Sequence, residues 1–141
     1  MAIQQREDLY GQHHVDRYVE TDGEEGYLWK RGSTILLLTT TGRRSGEPRV
    51  RPLIFREDAG RYVVVASRGG SPEHPDWYLN LREQPEVEVQ ILGERFAARA
   101  RTAGPDERPR LWELMVEAWP EYDTYQERAE REIPVVILER L

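Results

Sequence analysis

Two glycines bracket a pair of arginines in the stretch Thr41-Gly42-Arg43-Arg44-Ser45-Gly46-Glu47-Pro48-Arg49-Val50-Arg51. From Gly42 to Arg56 there are five arginines and one glutamate, a local charge of +4 in a chain whose net charge is -6. A global charge of that sign repels anions, so a concentrated basic loop asks for an explanation. Glycines suit a tight turn in which backbone N–H groups approach an anion closely. Guanidinium groups add forked donors that keep their charge when partly desolvated. The chemistry this favours is capture of a compact polyanion such as a phosphate-bearing cofactor. An ordinary hairpin turn with solvated arginines is the competing reading.

A second group is aromatic. Trp119, Tyr122 and Tyr125 recur every three residues, so in a helical segment they fall along one side. The stretch from Asp106 to Glu132 around them carries nine acidic residues against four arginines. On spacing alone this is a core stripe under the mouth of the domain. Trp77 and Tyr78 likewise read as core, and Ser67 as a turn residue at a strand end. Arg99 and Arg101 read as solvated outward faces of a strand.

Metal chemistry is not expected. There are no cysteines, which excludes disulfides, thiolate sites and a cysteine nucleophile. His13 and His14 are adjacent, about 100° apart on a helix, and His74 lies between Glu73 and Pro75 in a loop.

The elements that carry these groups follow from the hydrophobic period. Ser33 to Thr41 is β-rich and stops at Gly42. Arg49 to Arg56 and Arg61 to Ser67 follow as strands, separated by the turn Asp58-Ala59-Gly60. Val87, Val89 and Ile91 alternate with Glu86, Glu88 and Gln90, and Phe96, Ala98 and Ala100 alternate after Gly93, which gives a hairpin. Pro134 to Glu139 is a last strand. Helices are predicted near Gln5 to Val19, from Pro75 to Gln84, from Asp106 to Ala118, and from Glu121 to Glu130 after the Pro120 break. Thr21 to Gly26 reads as a loop. At 141 residues this is one domain, 1–141, with 1–32 as an N-terminal helix and loop expected to be mobile. The fold class is mainly β (α+β), a small barrel of about six strands flanked by short helices.

In that strand–turn–strand setting the sequence resembles the deazaflavin-dependent nitroreductase family. The resemblance runs through Glu20-Thr21-Asp22-Gly23, Leu36 to Gly46, and Pro48-Arg49-Val50-Arg51-Pro52-Leu53. It continues through Val64 to Gly70, Pro75-Asp76-Trp77-Tyr78-Leu79-Asn80-Leu81, and Val87 to Gln90. It implies a split β-barrel that uses coenzyme F420, with FMN a weaker candidate. It implies that Arg43, Arg44, Ser45 and Arg49 hold the cofactor's phosphate and acidic tail. Val50, Arg51, Pro52 and Leu53 would run beside the deazaflavin ring. Ser67, Arg68, Gly69 and Gly70 would form a second binding loop, with Trp77 and Tyr78 as flanking aromatics. The same resemblance turns Ile54, Trp119, Tyr122 and Tyr125 toward the substrate pocket, and gives Ser67, Tyr122 and Tyr125 the task of meeting charge on the acceptor.

The expected activity is hydride transfer from the reduced deazaflavin to quinone-like or nitroaromatic acceptors. Some relatives carry tyrosine in place of Trp119 and an aromatic in place of Ile54, which leaves the precise acceptor open. A non-catalytic deazaflavin or flavin carrier is the alternative. Nucleic acid is disfavoured as a partner because basic residues are not clustered elsewhere. The N-terminus has no apolar stretch after its charges and the longest apolar run is Ile35 to Leu38. That predicts a cytoplasmic protein, with peripheral contact at the inner membrane face left open for the N-terminal segment.

Overall fold

The computed structural model describes residues 2–141. In chain order the elements are β1 (Gln4–Gln5), α1 (Gly11–Thr21), β2 (Glu25–Leu28), β3 (Ile35–Thr41), β4 (Pro48–Ile54), β5 (Arg56–Asp58) and β6 (Arg61–Val65). Then come α2 (Asp76–Glu83), β7 (Glu86–Ile91), β8 (Glu94–Thr102), α3 (Arg108–Ala118), α4 (Glu121–Arg128) and β9 (Val135–Arg140). The main sheet has seven strands in the order β4-β3-β7-β8-β9-β6-β5, every neighbouring pair antiparallel.

Its two edges are consecutive in the chain. The strand expected over Arg49 to Arg56 is instead two pieces, β4 and β5, kinked at Phe55. The Phe55 N–H donates to the Thr34 carbonyl at 3.0 Å, and the Thr34 hydroxyl donates to the Phe55 carbonyl at 3.1 Å. β4 pairs with β3 while β5 pairs with β6, so one bent strand draws the opposite edges of the sheet together. The sheet therefore curls into a split barrel, which leaves few free strand edges.

Burial explains which strands alternate and which do not. On β3, Leu36 and Leu38 face the barrel interior while Ile35 and Leu37 pack outward with Val15 and Tyr18 of α1. On β6 and β9, Val64, Val136 and Leu138 point inward, and Val63, Val65, Val135 and Ile137 lie under Leu111, Met115 and Tyr122. Strands covered on both faces read as unbroken apolar runs. β7 and β8 have one open face, so Val87, Val89, Phe96 and Ala98 are buried while Glu86, Glu88, Arg95 and Arg99 are exposed.

The N-terminal segment is anchored to this frame. Tyr18 is fully buried; its hydroxyl donates to the Ile35 carbonyl at 2.9 Å and accepts the Leu92 N–H at 2.8 Å. The stretch Thr21 to Gly26, read as a loop, ends in β2, which pairs in parallel with β1. Arg6 and Arg17 both pair with Glu25 across this junction. Trp119 leaves the helical backbone before Pro120, which separates α3 from α4. None of the described helices is long and apolar enough to cross a membrane.

Candidate functional site

The basic turn is closed by its own backbone. Gly42 N–H donates to the Glu47 carbonyl and Gly46 N–H to the Gly42 carbonyl, both at 2.8 Å. A Cβ on Gly42 would lie 2.6 Å from Ser45 Oγ and 3.2 Å from the Glu47 carbonyl oxygen, so a side chain there would displace the Ser45 hydroxyl from the turn. Ser45 Oγ accepts the Glu47 N–H at 3.1 Å and lies 3.4 Å from Arg49 Nη2, so this hydroxyl first organises the turn.

Asn80, on α2, fixes the turn to the helix. It is buried, and its Oδ1 accepts both the Arg43 backbone N–H (3.1 Å) and Arg43 Nη1 (2.9 Å). Its Nδ2 donates to Thr40 Oγ1 at 3.2 Å. Arg43 also reaches Asp76 at the start of α2, with Nη2 3.3 Å from the carboxylate. Sequence reasoning quoted Asn80 within its motif and gave it no role; an apolar helix face carrying one asparagine was the available signal. Asn80→Ala is expected to leave the Arg43 N–H without its partner. That costs about 1–3 kcal/mol of stability and weakens ligand capture by the turn, while Asn80→Asp keeps the acceptor and is milder. Melting curves with binding titrations of the three proteins check this.

Two adjoining cavities lie here. The smaller, about 210 Å³, is lined by Gly42 to Ser45, Arg49, Arg51, Asp76, Trp77 and Asn80. The larger, about 630 Å³, shares Arg51, Asp76 and Trp77 with it and extends past Pro52, Leu53 and Ile54 of β4 to Ser67, Arg68 and Gly69. Trp119, Tyr122 and Tyr125 line its far wall. Residues far apart in the sequence thus form one trough, guanidinium-rich at one end and aromatic at the other.

Several residues from the sequence-based set sit elsewhere or do double duty; Trp77, for one, lines both cavities and packs in the barrel core. Val50 lines neither cavity and packs with the Ile35–Leu37 cluster under α1. Tyr78 also lines neither; it is buried in the barrel core, and its hydroxyl meets Thr102 Oγ1 at 2.8 Å. Gly70 is not a lining residue. Its φ is 83°, and a Cβ there would fall 2.8 Å from the Tyr125 carbonyl oxygen, so its bareness lets the Ser67–Gly70 turn press against α4. Tyr122 is at once cavity wall and core, only 5 % exposed within the cluster under α3.

The cavity also has lining that sequence reasoning missed. Tyr10, Gly11, His14 and Trp29 close it from the N-terminal side. Trp29 stacks on Trp119 with ring centroids 5.6 Å apart and planes at 16°, and its Nε1 donates to the Leu9 carbonyl at 2.9 Å. Arg31 lies over Trp119 and pairs with Glu121. An isolated Trp in a loop was the only hint. His14 Nε2 lies 2.8 Å from the Gly26 carbonyl, so that nitrogen carries the proton. Burial pushes the His14 pKa below the ordinary range, which favours the neutral imidazole at this wall. Burial, then the Tyr125 phenol, raises that of Tyr122, so its hydroxyl stays protonated and can donate. Among the described residues no group of three or more His, Cys, Asp or Glu is placed to hold a metal ion.

The donor set fits an extended anionic cofactor with a flat ring. The tight Gly42 cradle with Arg43, Arg44, Arg49 and Arg51 suits phosphate and carboxylates, and the adjoining cleft suits the ring and a planar partner.

Known proteins are similar to this chain in sequence and fold. The family described as F420H(2)-dependent quinone reductase matches residues 10–140. An F420H(2)-dependent quinone reductase of Mycobacterium tuberculosis is 38% identical over 126 residues, 87% of this chain and 85% of that protein. The solved structure of an F420-H2 dependent reductase is 45% identical, with a TM-score of 0.69 over 74% of this chain and 93% of the other. A second solved structure, described as a domain-swapped dimer, is 41% identical with a TM-score of 0.71 over 91% and 96%. With the match covering nearly all of its length, the chain belongs to the F420H(2)-dependent quinone reductase family.

Proposed function

We propose that this protein is a reductase that uses reduced coenzyme F420 to reduce quinones, with nitroaromatic compounds as a second acceptor class. The observation that carries the reading is the junction of the two cavities at Arg51, Asp76 and Trp77. It lets one extended ligand occupy the basic cradle and the aromatic cleft together. When bound, the reduced deazaflavin supplies a hydride.

The chain's own residues do the rest. Arg43, Arg44 and Arg49 bind the anionic part of the cofactor, and Ser45 keeps their turn closed. Arg51, Pro52, Leu53 and Trp77 position the ring. The stacked Trp29 and Trp119 exclude water and present flat surfaces to a planar acceptor. A quinone that accepts a hydride gains negative charge on oxygen and then takes a proton. The Ser67 hydroxyl and the phenols of Tyr122 and Tyr125 are among the donors that line the cleft and can meet that charge. Ile54 shapes the apolar floor.

The test is a thermal-shift titration with coenzyme F420 beside FMN, followed by acceptor-dependent oxidation of the reduced cofactor. A hundredfold excess of F420 over Kd stabilises the protein by about 2.7 kcal/mol, a rise on the order of 10 °C. Equal or tighter FMN binding would overturn the cofactor assignment. Tight F420 binding without quinone-dependent oxidation would leave a carrier in place of an enzyme.

A further inference from the structure

The turn from Ser67 to Gly70 holds a backbone it would not choose unaided. Arg68, Gly69 and Gly70 follow one another with φ of 46°, 62° and 83°. These are three left-handed residues in a row, and the first of them carries a full side chain. Such backbone persists only where its surroundings over-determine it. Two hydrogen bonds within the turn help: Gly70 N–H to the Ser67 carbonyl at 3.0 Å and Ser71 N–H to the Arg68 carbonyl at 3.1 Å. They are local and cannot by themselves fix where the turn sits.

Part of that restraint comes from α4, where Arg128 Nη1 lies 3.4 Å from the Gly69 carbonyl oxygen, and most of the hydrogen bonds come from the loop between α4 and β9. Arg131 Nε donates to the Ser71 carbonyl at 3.0 Å, and Nη2 to the Ser67 carbonyl at 2.9 Å. Nη1 donates to the Ala66 carbonyl at 3.3 Å and to His74 Nδ1 at 3.0 Å. One planar guanidinium therefore gathers acceptors that lie before, within and after the turn. His74 must be unprotonated at Nδ1 to accept. Burial, then the charges of Arg131 and Arg82, holds its pKa below the ordinary histidine range. A lysine ammonium has three donors on one atom and cannot span this set. Arg131 lines neither cavity, so whatever it does there it does through the turn.

We propose that Arg131 is a positioning residue that locks the Ser67–Gly70 turn and so presents Ser67 and Arg68 to the cleft. The consequence for cofactor and acceptor rests on the functional reading above; the lock itself does not.

The test measures amide hydrogen exchange on the ligand-free protein, then F420 affinity and quinone kinetics, for wild type, Arg131→Gln and Arg131→Lys. Expected is exchange at least about tenfold faster at the Gly70 and Ser71 amides in both variants, with Val64 and Val136 in β6 and β9 unchanged. Turnover falls by up to about a hundredfold as the turn's groups lose alignment. Low concentrations of guanidinium ion restore part of it in Arg131→Gln and nothing in wild type. Unchanged exchange at Gly70 and Ser71 in a folded variant overturns the proposal. So does faster exchange spread evenly through β6 and β9, which would make Arg131 a general stabiliser. If Arg131→Gln does not fold, Arg131→Lys carries the same decision. Faster turn exchange in a protein that does not bind F420 supports the lock and defeats the F420 reading, which separates the two.

Discussion

Replacing Arg43 and Arg44 together with alanine should weaken F420 binding by about 10²- to 10⁴-fold while the protein still folds. Charge-assisted hydrogen bonds contribute about 1.5–3 kcal/mol each, and each 1.4 kcal/mol is roughly tenfold in affinity. The proposed clamp loses two guanidinium groups, so the single effects multiply as long as the two act independently. The fold is spared because the turn is closed by backbone. The Gly42–Glu47 and Gly42–Gly46 hydrogen bonds and the bond from the Arg43 N–H to Asn80 all survive truncation of the side chains. Arg44 is exposed, and the Arg43–Asp76 pair joins a side chain 19% exposed to one 75% exposed, a geometry that adds little stability. The loss should shrink at high salt, where screening already weakens the wild-type contacts. Isothermal titration at two salt concentrations, with melting curves, makes the measurement. Wild-type affinity in the double variant would remove the basic turn from the cofactor site.

Tyr122→Leu and Tyr125→Leu should behave differently, although spacing alone makes them equivalent. Tyr122 is 5 % exposed, its ring lies 6.2 Å from Trp112 and 6.1 Å from Tyr125, and Leu111 and Met115 belong to the same buried cluster. Removing a buried aromatic ring costs about 2–4 kcal/mol, which lowers the melting temperature on the order of 10 °C. Tyr125 is half-buried, with its hydroxyl 3.4 Å from Trp119 Nε1. Truncating it leaves more of the core intact and should lower quinone turnover about tenfold for one lost hydrogen bond near the acceptor. Steady-state kinetics beside thermal melts resolve the two. Equal stability losses with normal activity per folded molecule would assign both rings to packing and leave the acceptor side without its proposed wall.

What the sequence by itself determined is local in character. Unbroken runs such as Ile35 to Leu38 and Val135 to Leu138, set against the alternation of Val87 to Ile91, mark which strands are covered on both faces. A strand's period records its own burial, so no partner need be known. The glycine-bracketed arginines could be read for the same reason: turn chemistry and charge density lie within a few consecutive residues. The Pro120 break and the helices on either side of it follow from proline's own geometry. β1 escaped because a two-residue strand of exposed glutamines has no period to read, and β2 because it opens on Glu25-Gly26, which reads as turn. β5 escaped because its separation from β4 depends on Thr34, just before β3, bonding Phe55 at the kink.

Tertiary structure decided what meets what. Trp29 joins Trp119, Asn80 holds Arg43 across 37 positions, and Arg131 grips the Ser67 carbonyl across 64. No local pattern encodes these pairings, because each is created when distant strands close the barrel. The direction of a single aromatic was equally beyond reach. Trp77 and Tyr78 are neighbours on one helix and both pack in the barrel core, yet of the two only Trp77 also lines the cavities. Adjacent helical side chains point about 100° apart, and only the surfaces packed against α2 settle which of them meets the cleft.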